Sequence, residues 1–510
     1  MNYNRQSEYE DISAHNDAFL MEWTVEKANK IHVGTAALHL NPELSYRLVW
    51  PFRRGTFNSQ DYKHVREVIE DLGRLIRGAI VQELHVNVED FRNYCLVLVL
   101  PDSFDRGHVK GCVECLMSHQ SPFKAISLIQ DSQAVSFGCG VSSGVILDCG
   151  AQKISVACIE EGYLVPETKI RIPIGGDDIT RFFAEFLKLH EFPYEFDLKK
   201  PLDWELLDEL KERSCTVNEA EIAPSAAIYE FYVRKPGQLT RKFLFKMFEE
   251  KIISPLALFD PEMSPFLASQ ITENGSELFI DAFDLKDTFI EPSSEDQPIS
   301  SAEEAVLTAT VFKCNWNKCK FEAGTLAQAM EHFNSSHLET GKCKYPSCQY
   351  STNDLISLQC HVISSHLITP EKSENIQSNV YSHLTKLKES FDVPMAVDEA
   401  VLASLFKLND TERIKRCASS IILSGGSHLF SGFPDVLFEK ISAKLPLNPL
   451  TALVEAKIFP NARDLDARFL AWKGGAVFSK LESTNEAWIT AEEWANFGMR
   501  SIKEKISFIN

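Results

Sequence analysis

Cys314 and Cys319 stand with four residues between them, twelve residues run from Cys319 to His332, and four more separate His332 from His337. Cys343, Cys348, His361 and His366 repeat those intervals unchanged. No other feature limits the fold as strongly. A tetrahedral zinc ion takes two thiolates from a β-turn and two imidazoles one helical turn apart, and this spacing supplies both. Each unit also carries a few apolar residues, Phe321 and Leu326 in the first and Tyr350 with Leu355 or Leu358 in the second. So small a segment cannot fold on its core alone and leans on the metal. The sequence therefore predicts tandem C2H2 zinc fingers over residues 310–368, holding two Zn2+ ions.

What such fingers touch is a separate matter. The joint "LETGK" is like the short linker of fingers that read DNA in series. With each first histidine at helix position 7, the base-facing residues are Thr325, Gln328 and Glu331, then Asp354, Ser357 and Cys360. None is arginine, so the strongest base contact, a bidentate guanidinium on guanine, is missing. Lys313, Lys318 and Lys320 stand against Glu322 and Glu331, and the whole chain has a net charge of −20. Weak, salt-sensitive DNA contact is the most this charge supports, and docking of a protein is favoured. Cys112 and Cys115 have a suitable local spacing but no second pair nearby, and read as part of a core helix.

Outside the fingers the chain alternates helix and strand. Val65, Val68, Ile69, Leu72, Leu75, Ile76 and Ile80 recur at three- and four-residue steps, marking a helix over 61–82. "NYCLVLVLPD" reads as a buried strand ended by Pro101, "HVKGCVECLMS" as the next helix, and 143–176 as a meander of apolar strands broken at glycines. Helices follow at 178–189 and 203–215. The pattern breaks near residue 266 and resumes at about 396, where strand, glycine turn and helix succeed one another in "ASSIILSGGSHLFSGFPDVLFEKISAKL". The expected organisation is a loose tail over 1–30, with a short helix around 17–29; a first body segment over 31–265; an acidic linker over 266–309; the fingers; a linker over 369–394; and a second body segment over 395–510. No secretory leader and no membrane-spanning run is read, and single cysteines on apolar segments point to a reducing compartment.

Two turns carry phosphate-loop character. "ILDCGAQKIS" puts Asp148 at a strand end, where it could hold a metal ion's water, and Gly150 where backbone amides could approach a phosphate. "ILSGGSHLF" offers a second such turn at Gly425 and Gly426. Tight hairpins need glycines for steric reasons alone, so each turn by itself says little.

Taken together with the order of elements, these segments resemble the actin fold, the α/β architecture shared with Hsp70 and hexokinase. "SSIILSGGSHLFSGFPDVLFEKI" is similar to actin's adenosine-loop segment and the helix after it, and "FLAWKGGAVFSKLESTNEAWITAEEWANFG" to its C-terminal segment. "HVGTAALHLNPELSYRLVWPFRRG" and "SPLALFDPEMSP" resemble the nuclear actin-related proteins, in the branch serving INO-eighty-type chromatin remodellers. The match spans 32–265 and 395–510. It implies a two-lobed body and a nuclear, non-catalytic scaffold; the fingers fall where that branch carries its own long insertion, although paired fingers are not part of its pattern. The partners it implies are the long helix of a remodeller's motor subunit, actin with other actin-related proteins, and linker or nucleosomal DNA. It also implies a degenerate nucleotide site at Asp148, Gly150, Lys211, Glu212, Gly425, Gly426, Ser427 and Phe430, with Lys211 and Glu212 meeting the adenine. ATP binding is expected to be absent or weak, since no first phosphate loop is read upstream, Gln152 replaces a glycine of the second, and Asp131 stands where actin has its water-orienting glutamine. The alternatives are a slow actin-like ATPase and a zinc-finger DNA-binding regulator on an actin-like platform.

Overall fold

The computed structural model describes residues 2–24, 31–58, 60–117, 123–218, 227–261, 312–313, 322–323, 395–447, 454–460 and 465–506. The chain divides into two units, Met1–Ile280 with Pro394–Asn510, and Asp281–Val393.

In the first unit, β1 (Glu10–Asp11) precedes a hairpin of β2 (Phe52–Arg53) and β3 (Thr56–Phe57), whose turn is Arg54–Gly55. Helix α1 (Val65–Leu84) buries Val68 and Leu72 of the apolar stripe and ends at His85, which takes a left-handed conformation at φ 54°. β4 (Cys95–Leu100), helix α2 (Arg106–Leu116) and β5 (Ala125–Gln130) make a β-α-β unit in which β4 and β5 run parallel, Leu100 opposite Gln130. The Asp105 carboxylate caps α2 by accepting from the His108 N–H.

Helix α3 (Asp131–Cys139) leads into the expected meander: β6 (Gly144–Cys149), β7 (Ile154–Glu160), β8 (Tyr163–Leu164) and β9 (Ile170–Ile172), in which β7 pairs antiparallel with each of the other three. Helices α4 (Gly176–Leu189) and α5 (Pro201–Ser214) agree closely with the two helices read from periodicity. β10 (Ala227–Val233) and β11 (Arg241–Met247) form a hairpin. In the second unit, β12 (Phe312–Lys313) pairs antiparallel with β13 (Glu322–Ala323). Back in the first, α6 (Val397–Phe406), β14 (Ile421–Gly425), α7 (Phe433–Lys444), α8 (Leu470–Phe478) and β15 (Ile489–Thr490) complete the elements used below.

Two cores result. The larger packs Val145, Leu147, Val156 and Cys158 of the β14-β6-β7 sheet against Phe183 of α4, Leu207 of α5, Val401 of α6 and Leu437 of α7. The smaller packs Ile126 and Leu128 of the β15-β5-β4 sheet against Val109 and Val113 of α2 and Ile502 near the C-terminus. Each fully buried side chain of this kind contributes about 1.5–3 kcal/mol. Where α3 and α8 cross, glycine sets the approach: a Cβ on Gly474 would overlap the Ala134 carbonyl, and one on Gly138 the Leu470 carbonyl.

The N-terminal residues correct the expectation of a loose tail. β1 adds to the free edge of β11, and Asn4 donates to the carbonyls of His190 and Lys246 while accepting from the Lys246 N–H. Phe19 stacks on Tyr232 at 3.8 Å and Tyr9 lies against Phe243. Polar composition hid this because the segment gains its order from an unpaired strand edge distant in sequence. Residues 17–24 form no helix, and the rest of the helix placed around 17–29 lies outside the described residues.

Cys314, Cys319, His332, His337, Cys343, Cys348, His361 and His366, with the linkers over 266–309 and 369–394, also lie outside the described residues. Leu258 and Val397 lie close to the two ends of the span 262–394 and are joined directly: the Val397 N–H donates to the Leu258 carbonyl at 3.0 Å.

Candidate functional site

Strand register assembles the site. β14 runs parallel to β6 with Ser424 opposite Asp148 and Gly425 opposite Cys149, so the two glycine turns emerge side by side. β4 and β5 end together beside them, which brings Asp102 and Asp131 to the same region. Crevices at the carboxyl ends of parallel strands are the usual ligand positions of open α/β sheets. The turns are also stitched to one another. The Ser427 N–H donates to the Cys149 carbonyl at 2.9 Å, and the Ser427 hydroxyl to the Gly150 carbonyl at 3.0 Å. Gly425 has φ +86°, and a Cβ there would overlap the Cys149 carbonyl, so glycine is required twice over. The Gly176 N–H closes on the Gly150 carbonyl and the Asp177 N–H on the Ala151 carbonyl.

Three carboxyl groups meet here. Burial raises the Asp131 carboxyl well above the usual carboxylate range, and the Asp148 and Asp102 charges push it further. Burial likewise raises Asp148, with Lys153 pulling it back. Asp102 is raised by burial and partly restored by Ser132, whose N–H and hydroxyl both donate to it. The nearest cation is internal: the Lys153 ammonium lies 3.9 Å from Asp131 Oδ2. Lys153, with Lys169 beside Asp102, therefore supplies positive charge to these carboxyls from within the chain.

A clasp closes over the same loop. From the β2–β3 turn, the Arg54 guanidinium donates to both oxygens of Asp178, at 3.1 and 2.7 Å, and to the Pro173 carbonyl. Its backbone N–H donates to Gln152 Oε1 at 2.9 Å. Gly55, the next residue, sits on the Lys153 side chain. Asp178 is 1% exposed, accepts also from the Gly175 N–H at the start of α4, and is shared with Arg181. Gln152 thus holds the hairpin in place.

The remaining residues expected at a nucleotide divide. Asp148, Gly150, Gly425 and Ser427 come together, and Gly426 lies against the Arg468 side chain. Lys211 joins them through α4 but is buried, its ammonium donating to the Gly176 carbonyl, Thr180 Oγ1 and Asp208 Oδ1 at 3.3, 2.9 and 2.5 Å. Those are all three of its donors. Glu212 is exposed, near enough to Arg468 to raise that guanidinium's pKa, and Phe430 is buried. Sequence reading did not assign Asp102, Lys153, Arg54 or Asp178 to the site. Only the substitution of glycine by Gln152 pointed their way. Among the described residues no group of three or more metal-ligating side chains is gathered as a metal centre, and no helix is long and apolar enough to cross a membrane.

A family model described as Actin matches residues 13–507. The chain is 29% identical over 516 residues to a probable actin-related protein 8 of Schizosaccharomyces pombe, covering 99% of this chain and 70% of that protein. It is 28% identical over 484 residues to human actin-related protein 8, covering 94% and 73%. A solved structure described as human actin-related protein Arp8 in its ATP-bound state superposes with a TM-score of 0.69 at 23% identity, covering 99% of this chain and 78% of that one. The likeness to the nuclear actin-related proteins read from the segments at 32–55 and 254–265 thus extends across the chain.

Proposed function

This chain belongs to the actin family, and on that premise we propose that it is a non-catalytic actin-related scaffold subunit of a nuclear chromatin-remodelling complex. One observation carries the non-catalytic part. The cation that balances Asp131 and its neighbours is Lys153, an atom of the chain itself, where an actin-like enzyme would take that charge from a metal-bound nucleotide. The residues fit a triphosphate poorly elsewhere too, since Lys211 has no donor left and Gln152 is tied to Arg54. Loops stitched in this way hold the body closed without a ligand, and a closed body is what a scaffold needs.

The partners proposed are the long helix of the motor subunit, actin and other actin-related proteins, with weak contact to linker or nucleosomal DNA. The fingers are proposed to bind two zinc ions through Cys314, Cys319, His332 and His337, and through Cys343, Cys348, His361 and His366, and to dock a protein. The β12–β13 hairpin supports this, because it brackets residues 314–321, the stretch that holds both cysteines of the first unit. Native mass spectrometry of the purified chain tests both proposals in one spectrum: two zinc ions and no nucleotide are expected. Failure to co-purify with any remodeller subunit from nuclear extract would count against the scaffold role.

A slow actin-like ATPase is the second reading, favoured by the similar structure described as ATP-bound. It requires millimolar Mg-ATP to raise the melting temperature and Asp148→Ala to abolish hydrolysis. An unmoved melting temperature removes it.

A further inference from the structure

A shallow recess, partly open to solvent, lies against the acid cluster and shares Asp102 and Lys153 with it. Its walls come from Gly55, the Pro101–Ser103 loop, Lys153 and Ser155 of the β6–β7 region, and Lys169 to Arg171 leading into β9. Neither Lys211 nor the Gly425–Gly426 turn lines it, so it lies to one side of the two glycine turns.

Strand register explains its chemistry. Asp148 pairs with Ser155 across β6 and β7, and Ser155 pairs with Arg171 across β7 and β9. Directly opposed residues point to the same face of a sheet, so Asp148, Ser155 and Arg171 form one cross-strand row. Ser155 is only 5% exposed, and its hydroxyl oxygen is buried without a hydrogen-bond partner among the described residues. A buried hydroxyl without a hydrogen bond is costly, so an unpartnered one calls for a ligand. Arg171 is exposed and makes no ion pair among the described residues. Lys169 spends one donor on the Asp102 carbonyl at 3.0 Å and keeps two. The Asp102 carboxyl, the acidic side chain in the wall, is turned away onto Ser132.

We propose that this recess binds a single inorganic oxyanion of the phosphate or sulfate class, held by the Arg171 guanidinium, the Lys169 ammonium and the Ser155 hydroxyl. Guanidinium and ammonium donors match the charge of such an ion, and charge-assisted hydrogen bonds of this kind are the strong ones. The hydroxyl, donating to an ion oxygen, gains the partner it lacks. No bond is made or broken. The site is independent of the scaffold role, which neither requires nor forbids it.

Thermal melting of the full chain at constant ionic strength, with inorganic phosphate as the probe, sulfate and O-phosphoserine as further arms, and Mg-ATP as the control, tests the assignment. At about 10 mM phosphate the midpoint is expected to rise by roughly 2–4 °C, with a similar rise in sulfate. Arg171→Ala, at an exposed position, should melt like the parent without phosphate and lose the rise, and Ser155→Ala should reduce it. A larger rise with O-phosphoserine than with phosphate would assign the recess to a phosphorylated side chain and overturn the free-ion proposal. A phosphate rise that is absent, or unchanged in both variants, overturns it as well, as does a rise with Mg-ATP alone.

Discussion

At the scale of single residues, the acid cluster sets how stability follows pH. The folded carboxyls of Asp131, Asp148 and Asp102 are raised, mainly by burial, above the unfolded value of about 4, so the folded chain holds protons that the unfolded chain has released. Stability from this cluster is therefore fully present at low pH and declines as pH climbs from about 4 through the raised values. Asp131→Asn removes one carboxyl that must ionise in a buried place and leaves Asp148 to balance Lys153. The variant should have a higher urea midpoint than the parent at pH 7, and the gap should close as the pH approaches 4. A lower midpoint at neutral pH, or a gap that does not change with pH, would show that Asp131 is held as a favourable partner of Lys153. Asp148 and the two glycine turns were legible in the sequence because each is a local strand-end pattern. Lys153, Asp102 and Arg54 were not, since each arrives on a different turn or strand end, and no local spacing records that those loops come together.

At the scale of elements, the crossing of α3 and α8 is the least forgiving contact. Gly474→Ala would drive a methyl group into the Ala134 carbonyl, which is backbone inside a helix and cannot turn aside. Overpacking of this sort costs about 3 kcal/mol, the upper part of its usual range. Gly475→Ala is the control on the same helix: its nearest neighbour is a side-chain methyl of Val99 at 3.3 Å, which can move, and the loss should be under about 1 kcal/mol. Equal losses in urea midpoints of the two variants would mean that helix propensity, and not the crossing, decides. Helices themselves were readable from periodicity, as α1, α4 and α5 illustrate, because their apolar stripes face the cores directly. The β1 strand was not, for its residues are polar and exposed, and its pairing with β11 depends on an edge supplied more than two hundred residues later.

At the scale of the whole molecule, the contact of Leu258 with Val397 lies within the first unit, close to both ends of the span 262–394. A hydrogen bond already joins the departing and returning chain, so closing that gap requires only a few residues, and loop-closure entropy grows slowly with length in either direction. Joining residue 261 to residue 395 by a short Gly-Ser bridge should leave a body that melts cooperatively within a few degrees of the parent, as a circular dichroism scan can check. A body that fails to fold would assign a structural role to residues within 262–394. If the bridge works, the same hydrogen bond has an evolutionary reading. Descendants of one ancestral chain could lengthen, exchange or discard everything between those two residues while selection on the remainder went on undisturbed, and lineages would come to differ most at the one seam where difference is nearly free.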